Sequence, residues 1–177
     1  MSQVSKLNMV NSKLGATMPG QQTTRYIYDT VVTAAGQSQF NFFQTFAGKT
    51  DLQTNLTTNK LDSSESMVIK SIYVTSDLTQ GLTGHSNLNI TVGNQVVLKD
   101  FNLAFNSSNR GVSFDRLHSG ASLPGIIEIR LLTDIVIPPQ VNFKATLELA
   151  EGGTLVGESI TLGLKGYGTI FSAGSTF

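Results

Sequence analysis

The alternation of apolar and polar positions is clearest in residues 126–149, IIEIRLLTDIVIPPQVNFKATLEL. Val141, Phe143, Ala145, Leu147 and Leu149 take one parity, and Asn142, Lys144, Thr146 and Glu148 take the other. Successive side chains of a strand point to opposite faces, so this half predicts a strand with one dry face, and its five apolar residues are expected to be buried together. Upstream, Ile127, Ile129 and Leu131 alternate with Glu128 and Arg130. Pro138-Pro139 cannot donate to a ladder and predicts a corner between two strands forming an inner wall of a sandwich.

The same pattern recurs along the chain. Residues 25–33 (RYIYDTVVT) are β-branched and aromatic, and 38–46 (SQFNFFQTF) follow with Phe40 and Phe42 on one face and Phe43 on the other. Residues 67–75 (MVIKSIYVT) are apolar on both parities, as for a strand covered on both faces. Residues 87–100 read as a hairpin turning at Gly93-Asn94, and 103–105 as a further short strand. A last strand spans 158–171, with Ile160, Leu162 and Leu164 on one face; Gly163, Gly166 and Gly168 weaken it unless another group lies close above them. Residues 47–66 form a long polar connection anchored only by Leu52, Leu56 and Leu61, and 106–123 form a second loop. The expected fold is therefore all-β: an antiparallel β-sandwich, jelly roll or barrel of eight to ten strands. Its domain is drawn at 25–177 behind a polar N-terminal arm at 1–24. In that arm Val4, Leu7, Val10 and Leu14 are spaced for one short amphipathic helix ending at Gly15, though a flexible terminus fits the same residues.

Composition narrows the function classes. Charged residues are only 14% of the chain, and Ser, Thr, Asn, Gln and Gly replace them, which suits a surface that packs against other subunits. Twelve basic and twelve acidic residues cancel, which argues against a chain that coats nucleic acid with its whole surface. The charge is uneven, because residues 1–28 carry Lys6, Lys13 and Arg25 and no acid. There is no cysteine, no apolar run of membrane-spanning length, and no secretory leader at residues 1–15, so a soluble or peripheral cytosolic product is expected.

Candidate chemistry is sparse. Gly48-Lys49-Thr50 resembles the end of a phosphate-binding loop, but Phe43 stands where that loop needs a glycine. His85 and His118 lie in separate polar loops, and Ser113, Asp115 and His118 are too close in sequence for a triad assembled from separate elements. Glu148 with Glu151, Asp62 with Glu65, and Asp77 with Asp100 or Asp134 are pairs that any twelve acids supply. No catalytic residue, metal site or cofactor is assigned. A sugar-binding sandwich would need exposed aromatics, drawn from Tyr26, Tyr28, Tyr73 or Tyr167, beside loop Asp and Asn; the chain has four Tyr against ten Phe and no Trp. A jelly-roll hydrolase of cupin type would need metal-ligand histidines that the chain does not supply.

A set of ordered motifs carries a resemblance. These are Tyr28-Asp29-Thr30, Phe40-Asn41-Phe42-Phe43, Gly48-Lys49-Thr50, Thr54-Asn55-Leu56, Met67-Val68-Ile69-Lys70-Ser71-Ile72, Ile137-Pro138-Pro139, Val141-Asn142-Phe143 and Leu162-Gly163-Leu164-Lys165-Gly166-Tyr167-Gly168. Over residues 25–171 the chain resembles the jelly-roll capsid proteins of bacteriophages, particularly small or tailless icosahedral ones and those of uncultured environmental phages. The resemblance implies a single jelly roll of about eight strands and a non-enzymatic virion protein. It implies self-assembly in the host cytoplasm with copies of itself and other virion proteins. Expected subunit contacts are Leu7, Val10 and Leu14 of the arm, Leu52, Leu56 and Leu61 of the long loop, and Phe40, Phe42 and Phe43. Many such proteins carry a strongly basic arm; this one has two lysines before Arg25, which argues against genome packaging by this chain alone. Nucleic-acid contact by the arm and peripheral contact with an internal lipid layer stay open.

Overall fold

The computed structural model describes residues 21–76, 86–103, 125–149 and 159–170. Its named elements are eight strands: β1 (Gln21–Val32), β2 (Gln39–Phe42), β3 (Glu65–Ser76), β4 (Ser86–Val92), β5 (Gln95–Asn102), β6 (Gly125–Ile137), β7 (Phe143–Leu149) and β8 (Ser159–Ile170). They form two four-stranded antiparallel sheets, sheet I in the order β1-β8-β3-β6 and sheet II in the order β2-β7-β4-β5.

The pairing has a simple logic. β1 pairs with β8, β2 with β7, β3 with β6 and β4 with β5, so the first half of the chain meets the second half in reverse order. That is one long double ribbon whose tip is the Gly93-Asn94 turn. Rolling the ribbon adds the pairs β3–β8 and β4–β7 and closes two sheets face to face, the jelly roll. The tip is a two-residue loop with Val92 opposite Gln95; only Gly93 has positive φ, the pattern of a type II′ turn. Gly93 donates its N–H to the Asn142 carbonyl at 2.7 Å, which ties the tip to the β6–β7 corner.

The core lies between the sheets. Ile27, Met67, Ile69, Ile72, Val74, Ile160, Leu162 and Leu164 come from sheet I, and Phe40, Phe42, Leu88, Ile90, Phe143, Ala145 and Leu147 from sheet II. Each fully buried Leu, Ile or Phe contributes about 1.5–3 kcal/mol against leaving it exposed. Of the five residues expected to share burial, Phe143, Ala145 and Leu147 do so at 1% exposure, while Leu149 packs half-buried at the core margin. Val141 is the exception. It precedes β7 and lies half-buried beside Gly93, so it covers the turn rather than the core.

Other elements depart from the sequence reading for local reasons. β1 begins at Gln21, because residues 21–24 continue the ladder with β8 from Thr24↔Tyr167 to Gln21↔Ile170. The ladder therefore starts four residues before the domain boundary drawn at 25. β2 stops at Phe42, because Phe43 takes a left-handed backbone (φ 61°). The Phe43 ring then turns inward against Phe143, with ring centroids 5.4 Å apart. Of residues 103–105, Leu103 is buried and the other two lie outside the described residues.

Sheet I is broken in register at one level. Ile69 pairs with Gly166 and Ser71 with Lys165, so Lys70 is an extra residue against β8. On the other side Ile69 pairs with Ile135 and Ser71 with Arg130, so Leu131 to Asp134 stand opposite Lys70 alone. The β3 backbone crowds β8 here: a Cβ on Gly166 would overlap the Val68 carbonyl group and approach Ile69 Cα at 3.0 Å. Gly163 is crowded differently, by the Tyr26 ring, whose Cζ would lie 2.7 Å from an added Cβ. Backbone cannot move aside and a side chain can. Gly166→Ala should therefore cost about 3 kcal/mol or more, and Gly163→Ala about 1 kcal/mol, in urea unfolding. Equal costs would refute this account of the bulge.

Candidate functional surface

The β1–β2 junction is built around a buried carboxylate. Asp29 shares its parity with Ile27 and Val31, so it points between the sheets, and it is 0% exposed. Its Oδ2 accepts the Phe43 N–H at 2.7 Å, and its Oδ1 accepts Lys49 Nζ at 2.6 Å. The first bond holds the left-handed turn at Phe43. The second draws the loop after β2 back across the open edge of β1. Lys49, which has no phosphate-loop geometry around it, serves as the counter-ion of Asp29.

The loop then supplies β1 with the partners an edge strand lacks. The Asn55 side chain accepts the Tyr28 N–H at 3.0 Å and donates to the Tyr26 carbonyl at 2.7 Å, as a neighbouring backbone would. Thr54 Oγ1 donates to the Tyr28 carbonyl at 3.1 Å, Asp29 bridges to Thr54, and Tyr28 Oη donates to the Asp51 carbonyl. Four motifs scattered between residues 28 and 56 are thus one physical junction.

The outer face of sheet I carries the polar aromatics. Tyr26 and Tyr28 flank Ile27 on β1, Tyr73 lies between Ile72 and Val74 on β3, and Tyr167 lies on β8. Tyr26 sits 5.9 Å from Tyr28 and 6.0 Å from Tyr73, ring to ring. Tyr73 Oη donates to Glu128 at 2.8 Å and accepts from Lys165 at 3.3 Å. Lys70 Nζ lies 5.8 Å from the Tyr167 ring and bonds both oxygens of Asp134 at 2.6 Å. Burial pushes the Tyr26 hydroxyl above its usual 10.0, with Tyr73 and Tyr28 adding to the shift and Lys165 opposing it.

Exposed aliphatic side chains mark the sandwich edges. Leu132 is 90% exposed at the apex of the β6 excursion that the Asp134–Lys70 pair pins back. Val96 and Val97 are both exposed on edge strand β5. Two register breaks between Leu88 and Thr91 put extra residues into β5 and spoil its alternation, and Asp100 sits there at φ 48°, its N–H held by Asn89 Oδ1 at 2.7 Å.

The expected contact residues divide. Leu52 is 90% exposed on the loop beside β1, and Leu56 is half-buried against the core. Phe40, Phe42, Phe43 and Leu61 are corrected as surface contacts: each is at most 1% exposed inside this chain's own core and presents nothing to a neighbour. Leu7, Val10 and Leu14 lie outside the described residues, as do His85, Asp77, Ser113, Asp115, His118 and Glu151. Glu65 pairs with Arg25 at 2.5 Å, and Asp100 and Asp134 belong to different sheets. Among the described residues no three His, Asp or Glu gather as a metal site. Leu132, Val96 and Val97 had only a faint signal in the sequence, the consecutive Leu131-Leu132 and Val96-Val97 that interrupt alternation.

No protein-family model matches the chain, and no curated protein matches it. The geometry above is what bears on function.

Two outcomes follow from it. Removing the Asp29 carboxylate leaves Lys49 and the Phe43 N–H unpaired, so Asp29→Ala should cost about 3–5 kcal/mol in urea unfolding. Lys49→Ala should cost a similar amount, and the double variant much less than the sum. Additive losses would show the pair to be uncoupled. For Tyr26, a folded value raised above 10.0 means the folded chain holds its proton where the unfolded chain has lost it. That stabilisation is full below pH 10.0 and is lost as pH climbs through the folded value. Wild-type stability should fall in that alkaline window, and Tyr26→Phe should flatten the fall.

Proposed function

We propose that the chain is a structural virion protein, a capsid subunit of the small or tailless icosahedral bacteriophage kind that self-assembles into a closed shell. The observation that carries this reading is where the exposed aliphatic residues lie on the jelly roll. β1 and β2 meet at one side of the sandwich, and the far edges of the two sheets are β6 and β5. Leu52 lies beside β1, while Leu132, Val96 and Val97 lie on β6 and β5. Apolar groups on opposite flanks suit head-to-tail contacts, and rings closed by such contacts are the units of a shell. Burying one such leucine contributes about 1.5–3 kcal/mol, and closure multiplies a weak contact over many copies.

The low charge of the chain supports the same reading, because interface cores are poor in charge. Leu7, Val10 and Leu14 are assigned as further contacts through the arm. The partners are copies of the chain and other virion proteins, the place is the virion after assembly in the host cytoplasm, and the role is non-catalytic. Purified protein viewed by negative-stain electron microscopy should form regular rings or shells. Leu132→Asp and Leu52→Asp should each abolish them while the unfolding free energy in urea stays within about 0.5 kcal/mol of wild type. A strict monomer at every salt concentration, or shells indifferent to both substitutions, would overturn the proposal.

A further inference from the structure

The tyrosine cluster on the outer face of sheet I is not used by any of the edge contacts proposed above. In one row of the sheet Gly163 stands between Tyr28 and Tyr73, paired to both. A side chain at Gly163 would fill the gap between the two tyrosines. With none there, Tyr26 reaches in diagonally from the next row and brings its hydroxyl end over the glycine, Oη nearest and Cζ and Cε2 2.7 and 3.1 Å from where a Cβ would be. Its ring is tilted 34° from Tyr28 and 69° from Tyr73. Tyr26 is thus the central ring, 43% exposed, and Tyr73 is a wall standing edge-on to it. The wall carries both hydrogen-bonding polarities, Lys165 Nζ at 3.3 Å and Glu128 Oε1 at 2.8 Å from Tyr73 Oη.

We propose that this face binds a neutral glycan, with the apolar C–H face of one pyranose ring stacked on Tyr26 and its hydroxyls bonded by Lys165 and Glu128. The electron-rich face of an aromatic ring attracts the weakly positive C–H groups of a sugar. A hydroxyl both donates and accepts, so a cation and a carboxylate side by side satisfy it. The same pair excludes other ligands. Lys165 already lies 5.5 Å from the Tyr73 ring centre, so a second cation is repelled. Glu128 beside it discourages an anion. A proline-rich peptide docks in grooves between aromatic rings, whereas here the Tyr26 ring itself stands beside both Tyr28 and Tyr73. The proposal stands independently of shell assembly.

The test uses an array of immobilised neutral oligosaccharides, followed by titration of the free sugar that scores. The chain has no Trp, so its fluorescence comes from four tyrosines, three of them in this cluster, and stacking should change it. Wild type should be retained on at least one neutral glycan, and Tyr26→Phe should bind within about twofold of it. Tyr26→Ala should bind at least about tenfold more weakly with unchanged circular dichroism. If Tyr26→Ala does not fold, Lys165→Ala carries the test, since Lys165 is exposed and its loss takes away the ammonium that would bond the sugar together with its bond to Tyr73 Oη. The same tenfold weakening is expected. Absence of wild-type binding to every neutral glycan overturns the proposal. So does binding unchanged in the folded variants, or preferential capture of a polyproline peptide. Because the readout is sugar binding, its failure leaves the shell proposal to the microscopy, and the reverse holds.

Discussion

The rest of the molecule depends on one buried charge. Asp29 lies at 0% exposure between two apolar sheets, where an unpaired carboxylate would cost several kcal/mol. Its two partners come from different places: the N–H of Phe43, just past β2, and the ammonium of Lys49, farther along the loop. Satisfying the carboxylate therefore fixes three things together. The chain must turn left-handed at Phe43, which sends that ring into the core. It must leave β2 after four residues. It must also return along β1, which brings Thr54 and Asn55 onto the open edge. Nonpolar residues at these positions could pack as well, but they would not set this path.

A second constraint acts in sheet I. Lys70 is one residue too many against β8 and faces four residues of β6. Both excesses occur at one level, where Gly166 lets the β3 backbone close in on β8. The extra β6 residues are not left loose, because Asp134 turns back to Lys70 with both oxygens at 2.6 Å and a side-chain exposure of 7%. A part-buried ion pair at the base of the excursion holds its foot down while its apex, Leu132, stands outward. The most exposed aliphatic group on that edge is thus set by electrostatics beneath it.

Local features of the fold were legible in the sequence. Alternation marked β7, Gly93-Asn94 marked the ribbon tip, Pro138-Pro139 marked the corner between sheets, and the glycines of β8 marked close approach. What could not be read locally was the pairing of strands distant in sequence, such as β1 with β8, because that choice is made by the whole core. The Asp29–Lys49 pair was partly legible, since an acid on the parity of Ile27 and Val31 requires a buried partner. Nothing nearby says which of several lysines supplies it. Phe40, Phe42 and Phe43 looked the same whether their apolar surface met this chain or another. Only rolling the ribbon shows that the core takes all three. The edge residues were hidden because bulges shift parity: in a regular strand Val96 and Val97 would point to opposite faces, and the register break that makes Val97 an extra residue leaves both exposed.

The edges also bear on what kind of assembly such a molecule favours. Open strand edges invite pairing with further strands, and that route leads to fibres as readily as to closed bodies. Here β1 is covered by Thr54 and Asn55, β2 has four residues, β5 is broken twice in register, and β6 is thrown out of line opposite Lys70. Each device removes a continuous rail of free N–H and C=O groups. Among the described residues, the aliphatic side chains exposed on the flanks are few, Val32, Leu52, Val96, Val97 and Leu132, at fixed points. Contacts through side chains have one geometry and a limited area, so they specify an angle between neighbours. A strand rail tolerates sliding by two residues and specifies none. If copies associate as proposed, blocked backbone edges and apolar points on opposite flanks would favour finite assembly at a defined angle.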